Sequence, residues 1–262
     1  MNLMAEVMAD LFWVQEPVAY FRFPKLSQNQ RLVHGVFSRR GGISRSPYKS
    51  LNTSYTVGDQ REDVASNLHI INEVLGGENM IFMNQRHGEN ILILDRNTPP
   101  KFGETPTADA LITDQPHIGL MVKQADCQGV IIFDPIKQVV ANVHCGWRGN
   151  VTNILGKVVS RMNQYFDCKG YHLAAAIGPS LGPCCAEFVT HDKIFPKSFQ
   201  RFMVRENYFD LWAISRRQLM EAGLRGDNIE ISRLCTRCRT DLFYSYRREK
   251  RTGRFGSVAM LR

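Results

Sequence analysis

Three short segments of this 262-residue chain each carry one good metal ligand or nucleophile. They are His87 in Gln-Arg-His-Gly, Cys127 in Ala-Asp-Cys, and His144 in Val-His-Cys-Gly-Trp-Arg-Gly. Each falls at a strand end or in a glycine-bearing loop, where polar groups can converge above a sheet. Two imidazoles and one thiolate make a three-ligand site with an open fourth position, the way catalytic zinc is held. The separations of 40 and 17 residues match no local metal motif. The residue types therefore also allow a core cysteine beside two hydrogen-bonded histidines. A further reading needs no metal: Cys127 as nucleophile and His144 as its base, with Asp126 orienting a histidine or taking a proton.

Two other segments suit an anion. Gly146-Trp147-Arg148-Gly149 opens an amphipathic helix, whose free N–H groups and dipole attract negative charge, and Arg148 adds a guanidinium fork. It is not a phosphate-binding P-loop, because the Lys-Ser/Thr ending is missing. Ser38-Arg39-Arg40-Gly41-Gly42 is a second basic, glycine-bearing loop. Either can equally be an ordinary turn. Seven cysteines (Cys127, Cys145, Cys168, Cys184, Cys185, Cys235, Cys238) are odd in number and irregularly spaced, which does not read as a disulfide framework. Cys235-Thr-Arg-Cys238 is a lone CxxC without a second pair or an early βαβ context, so structural thiols are favoured over redox chemistry. Cys184 and Cys185 are adjacent, and one of them could face the site.

Positioning these groups requires strands and helices in a particular order. Val64, Leu68, Ile71 and Leu75 share one helical face over 62–75, and Gly76-Gly77 ends it. Short apolar runs predict strands at 81–84, 91–94, 119–124, 130–133, 139–143, 173–177, 229–234 and 257–261, mostly antiparallel in the middle of the chain. Val151, Ile154, Leu155, Val158, Val159 and Met162 predict one helix following the Trp-Arg-Gly turn. A second helix is predicted over 210–222. No repeat, linker or low-complexity stretch is visible, so 1–262 reads as a single catalytic domain of class α+β, layered with mixed sheets.

Composition sets the outer bounds. Hydrophobic residues make up 44% and charged residues 22% of the chain, which excludes a largely disordered or fibrous protein. No apolar run approaches the roughly 18 residues of a membrane span. The amphipathic opening Met1–Trp13 lacks a basic n-region and makes a poor signal peptide, so a cytoplasmic location is expected. A net charge of +8 favours anionic partners without choosing among them. Arg247, Arg248, Lys250, Arg251 and Arg254 form the clearest basic cluster. It lacks interleaved base-stacking aromatics, which argues against a nucleic-acid-binding module.

Taken together, the segments HGVFSRRGGISRSPYKSLN, VGD, QRHG, ADALIT, ADC, HCGWRG, IGPSLGPCCAEF and CTRCRTDLFYSYRREKRTGR resemble one known family. It is called the multicopper polyphenol oxidase or laccase-domain family, the bacterial peptidoglycan editing factor, or the purine nucleoside phosphorylase-like family. The resemblance runs from about Val33 to Leu261. It implies a layered α/β sandwich related to a group of cysteine hydrolases, and a zinc site made by His87, Cys127 and His144, with copper the less favoured metal. It also implies phosphorolysis of adenosine, inosine, guanosine and methylthioadenosine to base and ribose 1-phosphate, together with adenosine deamination. The implied partners are a purine nucleoside and phosphate, with neither nucleic acid nor membrane; a monomer is expected and a homodimer stays open. Bacterial relatives are linked to removing misincorporated serine from peptidoglycan precursors, so a cysteine amidase is the alternative.

The chain departs from the family pattern beside the expected ligands. Gln124 stands where threonine is usual, Gln128-Gly129 replaces a Leu-Pro type pair, and Cys145 replaces a common alanine. No ligand is lost, but substrate preference is open. Seven histidines in all cannot furnish the several histidine-rich copper sites of laccase chemistry. Zinc, which is redox-silent and acts as a Lewis acid or activates water, suits phosphorolysis or deamination. In these reactions Cys127, His144 and Asp126 are the expected catalytic groups, with Asp126 handling a proton. Arg39 or Arg148 is expected to hold phosphate, and Asn52 to hydrogen-bond the nucleoside.

Overall fold

A computed structural model describes residues 11–77, 79–95, 97–98 and 103–262. Residues 1–10, most of the amphipathic opening, lie outside the described residues. The apolar runs of the sequence pair into two six-stranded sheets. The first takes the order Phe12–Val14, Tyr20–Arg22, Leu32–Phe37, Phe255–Leu261, Ile118–Gln124, Asn79–Phe82. The second takes the order Ile229–Ile231, Ala174–Ile177, Gln128–Asp134, Val139–Cys145, Ala110–Thr113, Ile91–Leu94.

The centre of each sheet is antiparallel, as the short turns between runs require. Three of the four edges differ from that expectation, Phe12–Val14 beside Tyr20–Arg22 being antiparallel. Asn79–Phe82 beside Ile118–Gln124, Ile91–Leu94 beside Ala110–Thr113, and Ala174–Ile177 beside Ile229–Ile231 are all parallel pairs. Parallel neighbours need long crossovers, and the segments between them supply the loops that build the site.

Side chains alternate between the faces of a strand, and the second sheet is buried on both. Ile131, Phe133, Leu111, Val140 and Ala176 pack inward against Phe21, Leu120, Val122, Phe255 and Ala259 of the first sheet. Val130, Ile132, Ala141 and Val143 face outward, under helices Ile154–Phe166 and Leu211–Glu221. Helix Arg61–Leu75 covers the far side of the first sheet through Ile71 and Leu75, against Phe37, Met121 and Val258. The result is helix, sheet, sheet, helices. Asn142 crosses between the sheets: its buried Nδ2 donates to Leu120 O and Ser257 O, each at 2.8 Å.

Three boundaries differ from the sequence pattern, each for a local reason. The helix expected from Val151 is two pieces, Trp147–Val151 and Ile154–Phe166. Asn153 sits between them at φ 54°, and its side chain accepts from Gly156 N at 3.1 Å as the cap of the second piece. Val151 consequently leaves the apolar face and is exposed. The strand at 229 stops at Ile231, because Arg233 adopts φ 54°. The strand expected at 81–84 lies earlier, at Asn79–Phe82, in parallel register with Ile118–Met121.

Candidate metal centre and cavity

Cys127 lies in the tight turn between Ile118–Gln124 and Gln128–Asp134, and His144 near the end of Val139–Cys145. Gly129 and His144 are register partners, so the two side chains emerge at the same end of adjacent strands. His87 comes from the loop between Asn79–Phe82 and Ile91–Leu94. The ligand atoms of all three lie within 4.8 Å of one another. His87 is exposed, Cys127 half-buried and His144 buried, and the two imidazoles meet edge to face at 4.9 Å.

Asp109, at the start of Ala110–Thr113, fixes two of the three. Its carboxylate lies 2.8 Å from His144 Nδ1 and accepts from the backbone N–H groups of Arg86, His87 and Gly88 at 3.2, 3.0 and 2.7 Å. Engaging Nδ1 leaves Nε2 of His144 as the ligand atom, the usual way a carboxylate orients a metal-binding histidine. The same bonds hold His87 at φ 58°, a left-handed conformation that a non-glycine residue keeps only when its surroundings impose it. His144 also pulls the Cys127 thiol down to about 6, against burial and with help from His87. Burial opposes the charge on His144, but the Cys127 thiolate and Asp109 draw it up.

Asp126 serves the turn. It sits at φ 88°, and its carboxylate accepts from Thr236 Oγ1, Ser245 Oγ and Arg247 N at 2.7, 2.7 and 2.6 Å. These three donors reach both carboxylate oxygens and fix the turn that carries Cys127. Gly146 has a steric role: a Cβ there would lie 2.8 Å from Cys127 Sγ and 3.3 Å from His87 Cδ2. Glycine keeps one flank of the sulfur clear. A cysteine sulfur, two imidazole nitrogens, a carboxylate behind one ligand and space beside the sulfur form a donor set suited to a divalent zinc-type ion.

The three ligands open into a cavity of about 920 Å³. Arg86, Lys123, Arg247 and Arg254 line it, and among the described residues Asp126 is its one acidic side chain. Tyr55, Phe82, Trp147, Phe188 and Tyr246 give it aromatic walls. Lys123 Nζ lies 4.4 Å above the Phe82 ring, and burial draws its ammonium down to about 8.

The structure thus brings His87, Cys127, His144 and Asp126 together but leaves the three expected substrate residues outside the cavity lining. Arg39 is committed elsewhere: it donates to Lys49 O, Thr240 O and Glu249 and lies 4.4 Å over Tyr244. Asn52 is fully buried, accepting from Ser54 N and Arg254 N and donating to Ser54 O and Asp59. It shapes the backbone of a cavity residue without reaching the cavity. Arg148 is exposed and lies over Trp147, and the helix it begins has five residues, too short for the expected anion site. Cys145 faces the helix-covered core, where burial and the Cys127 charge push its thiol up. Asp109, within ADALIT, was not singled out in the sequence, and Arg247 and Arg254 stood there only as part of a basic cluster with no role in this site.

A family model described as multi-copper polyphenol oxidoreductase laccase matches residues 33–262. A Bacteroides thetaiotaomicron protein named purine nucleoside phosphorylase is 30% identical over 245 residues, covering 86% of this chain and 90% of its own. The crystal structure of the hypothetical protein YfiH from Bacillus licheniformis superposes with a TM-score of 0.86 at 28% identity, over 95% of this chain and 99% of that one. That of YlmD from Geobacillus stearothermophilus gives 0.85 at 29% identity, over 96% and 99%.

Proposed function

Because the chain belongs to the multi-copper polyphenol oxidoreductase laccase family, and relatives covering most of it are named purine nucleoside phosphorylase, we propose that it is a metal-dependent purine nucleoside phosphorylase. The observation that carries this reading is one cavity joining aromatic walls, four cationic side chains and the His87–Cys127–His144 triad. Aromatic faces suit a purine. The guanidinium and ammonium groups suit phosphate, and Arg86, Arg247 and Arg254 take the role expected of Arg39 and Arg148. Phosphate oxygen attacks C1′ of the ribose as the glycosidic bond to the base breaks; the guanidinium groups hold the phosphate anion against C1′, where its charge offsets the cationic sugar that develops, and the departing purine takes the bond's electron pair and a proton from water. A divalent ion held by His87, Cys127 and His144 supplies Lewis-acid chemistry when bound. Asp109 and Asp126 position its ligands.

Adenosine, inosine, guanosine and methylthioadenosine are the proposed substrates, and deamination of adenosine is the proposed second activity. We assign zinc over copper. His34, His69, His117, His172 and His191 lie outside both potential metal clusters among the described residues, so no histidine-rich centre for oxygen reduction is formed. Purified protein should convert adenosine and inosine to free base only when phosphate is present, and adenosine to inosine without it, as read by chromatography. Base release that ignores phosphate would overturn phosphorolysis.

A second reading has one observation in its favour. Cys127, His144 and Asp109 also line up as thiolate, imidazole and orienting carboxylate, the parts of a cysteine amidase. A strong chelator should abolish nucleoside turnover and would leave amidase activity intact.

A further inference from the structure

We propose that Cys184, Cys185, Cys235 and Cys238 form a second metal site, a four-thiolate centre for a zinc-type ion. It is separate from the cavity ligands and structural in role. The four sulfurs lie within 4.8 Å of one another. Cys238 Sγ is 3.6 Å from the sulfurs of both Cys184 and Cys185. Zn–S bonds near 2.3 Å in a tetrahedron place sulfurs about 3.8 Å apart, close to the two 3.6 Å contacts of Cys238 and within the limit that holds for all four. Cys235-Thr-Arg-Cys238 has the short ligand spacing of structural zinc sites.

The fold delivers these residues together. Ala174–Ile177 and Ile229–Ile231 are parallel neighbours, so the loops after them leave from the same end. A bridge between Ser180 and Cys235, with Thr236 N donating to Ser180 O at 3.0 Å, carries the two loops side by side. Gly182 permits the approach: a Cβ there would meet Trp212 at 2.7 Å and Cys235 Cβ at 3.1 Å. A disulfide explains the arrangement poorly, because Cys238 is equally close to two partners, and any one bond would strand two further thiols beside it. Four thiolates around one divalent ion leave negative charge, and Arg237 Nη1 stands 3.7 Å from Cys185 Sγ to offset it.

The ion would fasten one wall of the cavity. Leu181 and Phe188 flank Cys184 and Cys185 in sequence and line the cavity. Thr236, between the other two cysteines, donates to Asp126 beside Cys127. The centre is inferred from these thiols alone and does not rest on the nucleoside reading.

Metal content of the full-length protein, purified under reducing conditions with zinc, tests it without any activity measurement. Native mass spectrometry should find two zinc ions per chain in the wild type and one in each of Cys127→Ala and Cys238→Ser. Cobalt-loaded Cys127→Ala should show the intense thiolate charge-transfer bands of a four-sulfur tetrahedral site, and Cys127→Ala/Cys238→Ser should lose them. If Cys238→Ser does not fold, the exposed Cys184→Ser replaces it. Folded Cys127→Ala protein that binds no metal would overturn the proposal, as would a disulfide between any two of the four found by peptide mapping of the same preparation.

Discussion

Two sulfur-bearing clusters, close to each other through Thr236 and Asp126, are built on opposite plans. The His87–Cys127–His144 group mixes ligand types, presents an exposed imidazole, opens into a large cavity and is backed by a carboxylate. The Cys184–Cys185–Cys235–Cys238 group is all sulfur and supplies four ligands where the other supplies three. A closed four-sulfur set saturates a tetrahedral ion and leaves no position for a reactant, whereas a three-ligand set keeps one free. The number and variety of ligands, more than the presence of cysteine, separates a place for chemistry from a fastening.

The sharpest break between the two is expected from removing one sulfur from each. Cys127→Ala should lower phosphate-dependent nucleoside turnover by more than about a hundredfold, beyond what loss of an orienting partner costs. Cys238→Ser should retain most of the turnover and lose thermal stability. Initial rates and melting curves of the two proteins check this, and a reversal of the pattern would undo the comparison.

Asp109→Asn comes next. The neutral amide weakens the hold on His144 and on the loop carrying His87, and should cost about 10–100-fold in metal affinity or activity. Zinc titration against a chromophoric chelator measures it. Equal weakening of both metal equivalents would contradict an effect local to the cavity.

Thiol reactivity in metal-free protein separates the clusters by pH. Burial pushes Cys238 up to about 11, with the Cys235 charge adding to it, whereas the imidazoles bring Cys127 to about 6. At pH 7 Cys127 is therefore mostly thiolate and Cys238 mostly thiol, so Cys127 should label faster even though a low-pKa thiolate is intrinsically the weaker nucleophile. Raising the pH to 9 should barely change alkylation of Cys127 and should accelerate that of Cys238 by about tenfold per pH unit. Peptide mapping after brief iodoacetamide treatment reads both. Faster labelling of the more exposed Cys238 at pH 7 would show that access outweighs ionisation.

The smallest effect is expected at Arg148→Ala. The side chain is exposed and outside the cavity, so KM for phosphate should shift by less than about twofold, within the range of ordinary surface changes. A larger shift in steady-state kinetics would return Arg148 to the site.

The three cavity residues stood out in the sequence by type and by their place at strand ends or in glycine-bearing loops, but their spacing matched no metal motif, and only the family resemblance joined them into one ligand set. Their strands were legible on their own: apolar runs such as Val139–Cys145 are buried on both faces and stand out without alternation. The supporting residues were not. Asp109 looks like any polar residue before a strand until the register of Ala110–Thr113 with Val139–Cys145 places it beside His144. Arg39 and Arg148 looked suitable because charge beside glycine suits an anion, but a sequence does not show that Glu249 or the Trp147 ring already engages them. The four-thiol group was missed because its halves lie on separate loops, and only the parallel pairing of two edge strands unites them.

The placement of Phe255–Leu261 between Leu32–Phe37 and Ile118–Gln124 has a temporal consequence. Partners more than 200 residues apart must meet before the first sheet has a middle, and such distant pairings make folding slow. Until then Leu32–Phe37 and Ile118–Gln124 lack their shared neighbour, and their unpaired edges invite aggregation during synthesis. Cellular yield of this protein should therefore depend on chaperone supply more than its finished stability would suggest.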